Sequence, residues 1–123
     1  MENPDKAALE CALPNRVQHH VFLCLGPDCC EPERGQAVWV HIKDRLREAG
    51  LPVLRTKAAC LRVCQGGPWL LIYPEGVWYG GVDEARFDRI LQEHLRSGRP
   101  VEEWVAARRC PAGVAGSCDG GAV

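Results

Sequence analysis

Two pairs of cysteines are the residues of this sequence whose type and spacing could do chemistry. Cys24 and Cys29 are separated by four residues, and Cys30 follows directly. Cys60 and Cys64 are separated by three residues and are followed by a Gln-Gly-Gly-Pro run. Thiolates are ligands of structural zinc and of iron–sulfur clusters, and two local pairs can together supply four of them. The pattern therefore predicts a site of four thiolates, provided that the fold brings the two pairs together.

The composition of the chain narrows the classes of protein to which it can belong. Eight cysteines occur among 123 residues, and the first residues show no basic stretch followed by an apolar one. We therefore expect a cytoplasmic protein, in which clustered cysteines bind metal or do redox chemistry more often than they form disulfides. The 15 basic and 16 acidic side chains nearly cancel, which disfavours a general nucleic-acid binder. Apolar runs of about five residues are too short to span a membrane.

The elements that must position the cysteines follow the order β-α-β-β-β-α. Hydrophobic periodicity and turn residues predict strands over 18–25, 52–55, 69–73 and 77–79, helices over 36–49 and 83–97, and a loop over 26–35. The helical crossover predicts that the first two strands are parallel, and the Pro-Glu-Gly turn predicts an antiparallel pair at the end. The expected fold class is α/β, with a small mixed four-stranded sheet and two main helices. Each cysteine pair would begin at a strand end or in the loop beyond it, so neighbouring strands would bring all four sulfurs to one end of the sheet.

The chain divides into a single domain and two flanking segments. We expect the domain over 17–105, an N-terminal extension over 1–16 and a flexible C-terminal tail over 106–123, because the tail consists mostly of Gly, Ala and Ser. A short helix is expected near the end of the domain, over 101–107. Within the cysteine loops, Gly26, Gly66 and Gly67 would permit a positive φ that turns backbone N–H groups toward the sulfurs.

These motifs together resemble the thioredoxin-like 2Fe–2S ferredoxins, a family related to the cluster-bearing small subunit of respiratory NADH dehydrogenases. The resemblance covers roughly residues 19–105 and rests on both cysteine pairs, on the stretch IYPEGVWY at 72–79 and on EHLRSG at 93–98. It implies a thioredoxin-like fold and one 2Fe–2S cluster, with one loop pair for each iron. The implied ligands are Cys24, Cys29, Cys60 and Cys64. The resemblance also implies a one-electron carrier rather than an enzyme, with a reductase and an acceptor as redox partner proteins, and a homodimer.

Several alternatives stay open at this point. Cys30 could replace Cys29 as a ligand, and the spacing favours Cys29. Four cysteines suit tetrahedral zinc equally well, so a structural zinc-binding interaction module is the second interpretation. A thiol or metal-insertion accessory protein that uses the adjacent Cys29 and Cys30, or the tail cysteines Cys110 and Cys118, is the third. Cys11, Cys110 and Cys118 lie outside the family pattern.

The remaining candidates for chemistry are predicted to be structural. His19 and His20 are adjacent, so in a strand they would point to opposite faces and could not chelate a metal together. His94 is expected to pack against the apolar side of the last helix. Most of the large aromatic side chains are expected to lie in the core. The tryptophans are Trp39, Trp69, Trp78 and Trp104.

Overall fold

A computed structural model of the chain describes residues 17–108. Its elements are β1 (His19–Cys24), α1 (Pro32–Ala49), β2 (Val53–Ala58), β3 (Leu70–Tyr73), β4 (Val77–Tyr79), α2 (Glu84–Ile90), a wider π-helical continuation of α2 (Leu91–Arg96), a 3-10 turn (Glu102–Trp104) and β5 (Val105–Ala107). The expected extension over 1–16, most of the expected tail and the cysteines at 11, 110 and 118 lie outside the described residues. Within those residues, no helix is long and apolar enough to cross a membrane.

The five strands form one mixed sheet in the order β2-β1-β3-β4-β5. β1 is parallel to β2, whereas the other neighbouring pairs are antiparallel. The predictions of a parallel first pair and an antiparallel β3–β4 hairpin are therefore confirmed. β1 is an interior strand because its apolar run can be buried between two neighbours, and Val21 and Leu23 are fully buried.

The sheet has five strands rather than the predicted four. The segment expected as a short helix over 101–107 instead forms a 3-10 turn followed by β5, which pairs with β4. Val101, Trp104 and Ala107 recur at a spacing that also suits a helix. However, the outer edge of β4 offers unpaired backbone groups, and an added strand satisfies them. The expected domain boundary after residue 105 therefore falls inside a strand.

The helices form where the sequence periodicity predicts them, but α1 begins earlier than predicted. The buried stripe of α1 contains Val38, Ile42 and Leu46, as predicted. α1 begins at Pro32, four residues before the predicted start, so the last part of the expected loop over 26–35 is helical. Proline suits the first helical turn, and Gly35 lets the helix pass the preceding loop, because a Cβ there would lie 2.6 Å from the Leu25 carbonyl oxygen.

The predicted placement of most tryptophans in the core is wrong. Trp39 is buried, but the other three are only half-buried. Trp69 and Trp78 lie edge to face, with ring centroids 6.4 Å apart. The neighbours of Trp78 in β4 point into the core, so the Trp78 ring lies on the opposite face of the sheet. Trp104 packs beneath the guanidinium groups of Arg86 and Arg89.

The three histidines that the sequence analysis singled out lie where it predicted. His19 is buried on the core side of β1, whereas His20 stacks on Phe22 with ring centroids 4.2 Å apart. These adjacent side chains therefore lie on opposite faces of the sheet. His94 is fully buried, and its Nδ1 atom lies 2.8 Å from the Tyr79 hydroxyl.

Candidate metal centre

Both cysteine pairs begin at the same edge of the sheet. Cys24 is the last residue of β1 and lies opposite Ala58, the last residue of β2. The first pair therefore starts where β1 ends, and Cys60 follows two residues after the end of β2. Because the two strands are parallel neighbours, their carboxyl ends meet at one edge, and the loops beyond them share that edge.

Direct contacts join the two cysteine-bearing loops. The Gly67 N–H donates a hydrogen bond of 2.9 Å to the Cys29 carbonyl oxygen. A Cβ on Gly67 would lie 2.8 Å from that oxygen and 3.0 Å from the Cys29 Cβ. Gly26 and Gly66 adopt the predicted positive φ, at 96° and 82°, but Gly67 does not. Glycine at position 67 is thus required by the close approach of the loops rather than by its backbone angle.

The sulfurs are arranged from the interior to the surface. Cys24 and Cys29 are buried, Cys30 is half-buried, and Cys60 and Cys64 are exposed. The Sγ atoms of Cys29 and Cys30 are 3.8 Å apart. The first pair therefore lies under the surface, whereas the second pair lies on a loop that solvent reaches.

Backbone N–H groups point at one sulfur of each pair. The Trp69 N–H donates to Cys24 Sγ over 3.1 Å, and the Arg62 N–H donates to Cys60 Sγ over 3.2 Å. Arg62 has a φ of 74°, an uncommon conformation for a residue other than glycine. Such donors stabilise negative charge on sulfur. Sequence reasoning attributed this role to the glycines, and it missed Trp69 and Arg62 because backbone donors leave no side-chain signal.

The thiols of Cys24 and Cys30 resist ionisation on their own. Burial raises the pKa of the Cys24 thiol to about 12, and burial together with Cys29 raises the pKa of Cys30 to about 11. A buried thiolate needs a nearby positive charge, which a metal ion supplies as it replaces the proton. The donor set, two local thiol pairs with N–H groups aimed at their sulfurs, fits an iron–sulfur cluster.

Comparison with known proteins assigns the family. No family model matches the chain. The chain is 32% identical over 90 residues to a putative 2Fe-2S ferredoxin of Priestia megaterium, with 72% of this chain and 70% of that protein covered. It is 29% identical over 105 residues to a 2Fe-2S ferredoxin of Aquifex aeolicus strain VF5, with 77% and 95% covered. A 2Fe-2S ferredoxin of Clostridium pasteurianum is 27% identical over 97 residues, with 69% and 92% covered.

Solved structures agree with these relatives. The structure of a thioredoxin-like [2Fe-2S] ferredoxin from Aquifex aeolicus superposes with a TM-score of 0.66 at 29% identity, covering 78% of this chain and 96% of that one. A 1.5 Å crystal structure of the wild type gives a TM-score of 0.64, with 72% and 96% covered. The fold is therefore thioredoxin-like. The chain belongs to the thioredoxin-like 2Fe–2S ferredoxins, a family of electron carriers.

Proposed function

We propose that this chain is a one-electron carrier that holds a 2Fe–2S cluster on Cys24, Cys29, Cys60 and Cys64. The observation that carries the proposal is the joining of both cysteine loops at one sheet edge through the Gly67–Cys29 hydrogen bond, in a chain that belongs to the 2Fe–2S ferredoxins. Family membership favours this function over a structural zinc module and over an accessory thiol protein.

The residues of the chain would hold the cluster and compensate its charge. When bound, the cluster supplies reversible one-electron chemistry. The buried Cys24 and Cys29 fix one side of the site inside the protein. The N–H groups of Trp69 and Arg62 already point at sulfurs, so they stabilise the negative charge that increases on reduction. Fixed backbone donors need little reorganisation when the charge changes, which suits rapid electron transfer.

The exposed cysteine pair marks the side on which redox partners would dock. Cys60 and Cys64 lie on the solvent side of the site. Arg55 and Lys57 on β2 are also exposed, and they immediately precede this loop. A donor or acceptor protein with an acidic rim would therefore approach the exposed pair with favourable electrostatics.

Replacing Lys57 with glutamate should slow electron transfer to such a partner at low ionic strength and have little effect at high ionic strength.

Serine substitutions test the ligand assignment. Cys29→Ser should lose the visible absorption of the cluster or make it labile, whereas Cys30→Ser should keep it. The two variants are matched controls for one another because the cysteines are adjacent and both substitutions remove a sulfur atom. Iron and acid-labile sulfide are measured in each protein after anaerobic purification. The reverse result would make Cys30 the ligand, and a colourless protein with one zinc ion would replace the proposal by the zinc module.

Three further expectations stay proposals: a homodimer and the absence of catalysis by the chain itself, which rest on the resemblance, and a cytoplasmic location, which rests on the composition of the sequence. Sedimentation equilibrium of the cluster-loaded protein tests the first. A mass of two chains supports the dimer, and a mass of one chain over the micromolar range contradicts it.

A further inference from the structure

A second group of ligating side chains lies at the opposite end of the sheet from the cysteines. His19 is the first residue of β1, Glu75 lies in the turn between β3 and β4, and His94 lies on the π-helical continuation of α2. Cys24 is the last residue of β1, and a rise of about 3.3 Å per residue places the two ends about 17 Å apart. This histidine–glutamate cluster is therefore separate from the cysteine edge, which is the end of the sheet where the loops with Cys24, Cys29, Cys60 and Cys64 begin.

The distances within the cluster suit one metal ion. Glu75 Oε2 lies 2.9 Å from His19 Nε2 and 3.2 Å from His94 Nε2. One ligand atom from each residue lies within 4.8 Å of the other two. Tetrahedral zinc with bonds of about 2.0–2.1 Å separates neighbouring donor atoms by about 3.3 Å. Two imidazoles and one carboxylate are also the ligand set of many zinc and non-haem iron sites that keep an open position.

The Glu75 carboxylate lies between the two imidazoles in a partly buried place. Burial lowers the pKa of His94, although its hydrogen bond to Glu75 opposes this, so the ring is held neutral. Burial also raises the pKa of Glu75, but hydrogen bonds from His19 and His94 outweigh this effect and leave it below its usual value. The Oε1 atom of Glu75 and the Nδ1 atom of His19 are buried without a hydrogen-bond partner. A divalent cation would pair with the Glu75 carboxylate, and Oε1, which has no hydrogen-bond partner, could complete a bidentate carboxylate.

Neighbouring groups orient one ligand and leave a path for an ion. The Tyr79 oxygen accepts a hydrogen bond of 2.9 Å from the Val101 N–H, and it lies 2.8 Å from His94 Nδ1. Such support from a second layer of side chains holds a metal-binding imidazole in place. The Glu75 side chain is 31% exposed, and His19 borders an open cleft of about 430 Å³. An ion can therefore reach the cluster from solvent.

We propose that His19, Glu75 and His94 bind one divalent transition-metal ion, with zinc as the best match, in addition to the cofactor of the cysteine edge. The proposal does not rest on the function of the cysteines. It requires that the imidazole Nε2 protons move to Nδ1 when the metal binds, so that both Nε2 lone pairs face the ion. For His94, the Nδ1–H group then donates a hydrogen bond to the Tyr79 oxygen.

Zinc titration of the cluster-loaded full chain tests the site. Free thiols are first alkylated with iodoacetamide, so that spare cysteines cannot bind the added metal. Calorimetry should then detect one further zinc ion per chain. His19→Gln and Glu75→Gln should each weaken this binding by more than about tenfold. His41→Gln is the matched control, because His41 pairs with Asp88 at the surface, over 2.8 Å, and should bind zinc like the wild type.

Visible spectra distinguish a loss of zinc binding from a loss of folding. Each variant must keep the visible cluster spectrum of the wild type, which shows that it is folded. Cobalt bound in place of zinc should give weak ligand-field bands without thiolate charge-transfer bands. The proposal is overturned if the cluster-loaded, alkylated wild type binds no zinc, if both variants bind zinc as the wild type does, or if the bound cobalt shows sulfur ligation.

Discussion

Replacing Gly67 with alanine would push apart the two loops that carry the cysteines. The new Cβ would lie 2.8 Å from the Cys29 carbonyl oxygen, so one loop must retreat by about 0.6 Å to reach the 3.4 Å at which ordinary contact begins. The retreat also weakens the 2.9 Å hydrogen bond from the Gly67 N–H. Overpacking of this kind costs about 1–3 kcal/mol, which corresponds to roughly 5- to 150-fold in a rate or equilibrium constant.

The matched control is Gly50→Ala, at the C-terminal end of α1. Gly50 has a φ of 64° and no neighbour within 4 Å of an added Cβ, so alanine there costs about 1 kcal/mol of backbone strain without touching the site. We expect Gly67→Ala to lose its visible absorbance in the presence of a chelator at least about fivefold faster than the wild type. Gly50→Ala should lower the denaturation midpoint and leave the rate of cluster loss unchanged. Equal rates for wild type and Gly67→Ala would refute the reasoning that this contact joins the loops around the site.

Three further predictions concern the stability of the fold. Tyr79→Phe should lower the free energy of unfolding by about 1–3 kcal/mol in urea titrations, because it leaves the Val101 N–H and His94 Nδ1 without their buried partner; a change below about 0.5 kcal/mol would contradict this. Asp83→Ala should cost about 1 kcal/mol, since the carboxylate caps α2, while Asp83→Asn should recover most of it. Stability should fall as the pH drops below about 6.5, because the unfolded chain protonates His94 while burial keeps its folded pKa lower. It should fall further below about pH 4.5, because the unfolded chain protonates Glu75 while hydrogen bonds from His19 and His94 keep its folded pKa lower. A flat stability between pH 7 and pH 5 would contradict the assigned state of His94.

The sequence predicts the cysteine edge because the rules that place it are local. An apolar strand that ends at Cys24, a helical crossover and a second strand dictate parallel neighbours, and parallel neighbours bring their following loops together. The sequence does not predict β5, because the pairing of Val105–Ala107 with β4 is decided by the open edge of the sheet. The half-buried position of Trp78 also depends on tertiary structure, because its neighbours in β4 face the core and its own ring lies on the opposite face of the sheet.

The histidine–glutamate cluster shows what sequence patterns leave out. Its members come from a strand, a turn and a helix that are far apart along the chain, so no spacing connects them. One signal was present: His19 shares a face of β1 with the buried Val21 and Leu23, and a polar side chain at such a position needs a buried partner. The identity of that partner depends on tertiary packing.

Iron, acid-labile sulfide and zinc, counted per chain in anaerobically purified protein and combined with electron paramagnetic resonance after one-electron reduction, test the central claim most directly. The account predicts that the cysteine edge holds two irons and two sulfides, with a signal of one unpaired electron that appears on reduction and is absent from the oxidised protein. A chain that carries no sulfide and whose cysteines hold a single zinc ion would contradict it.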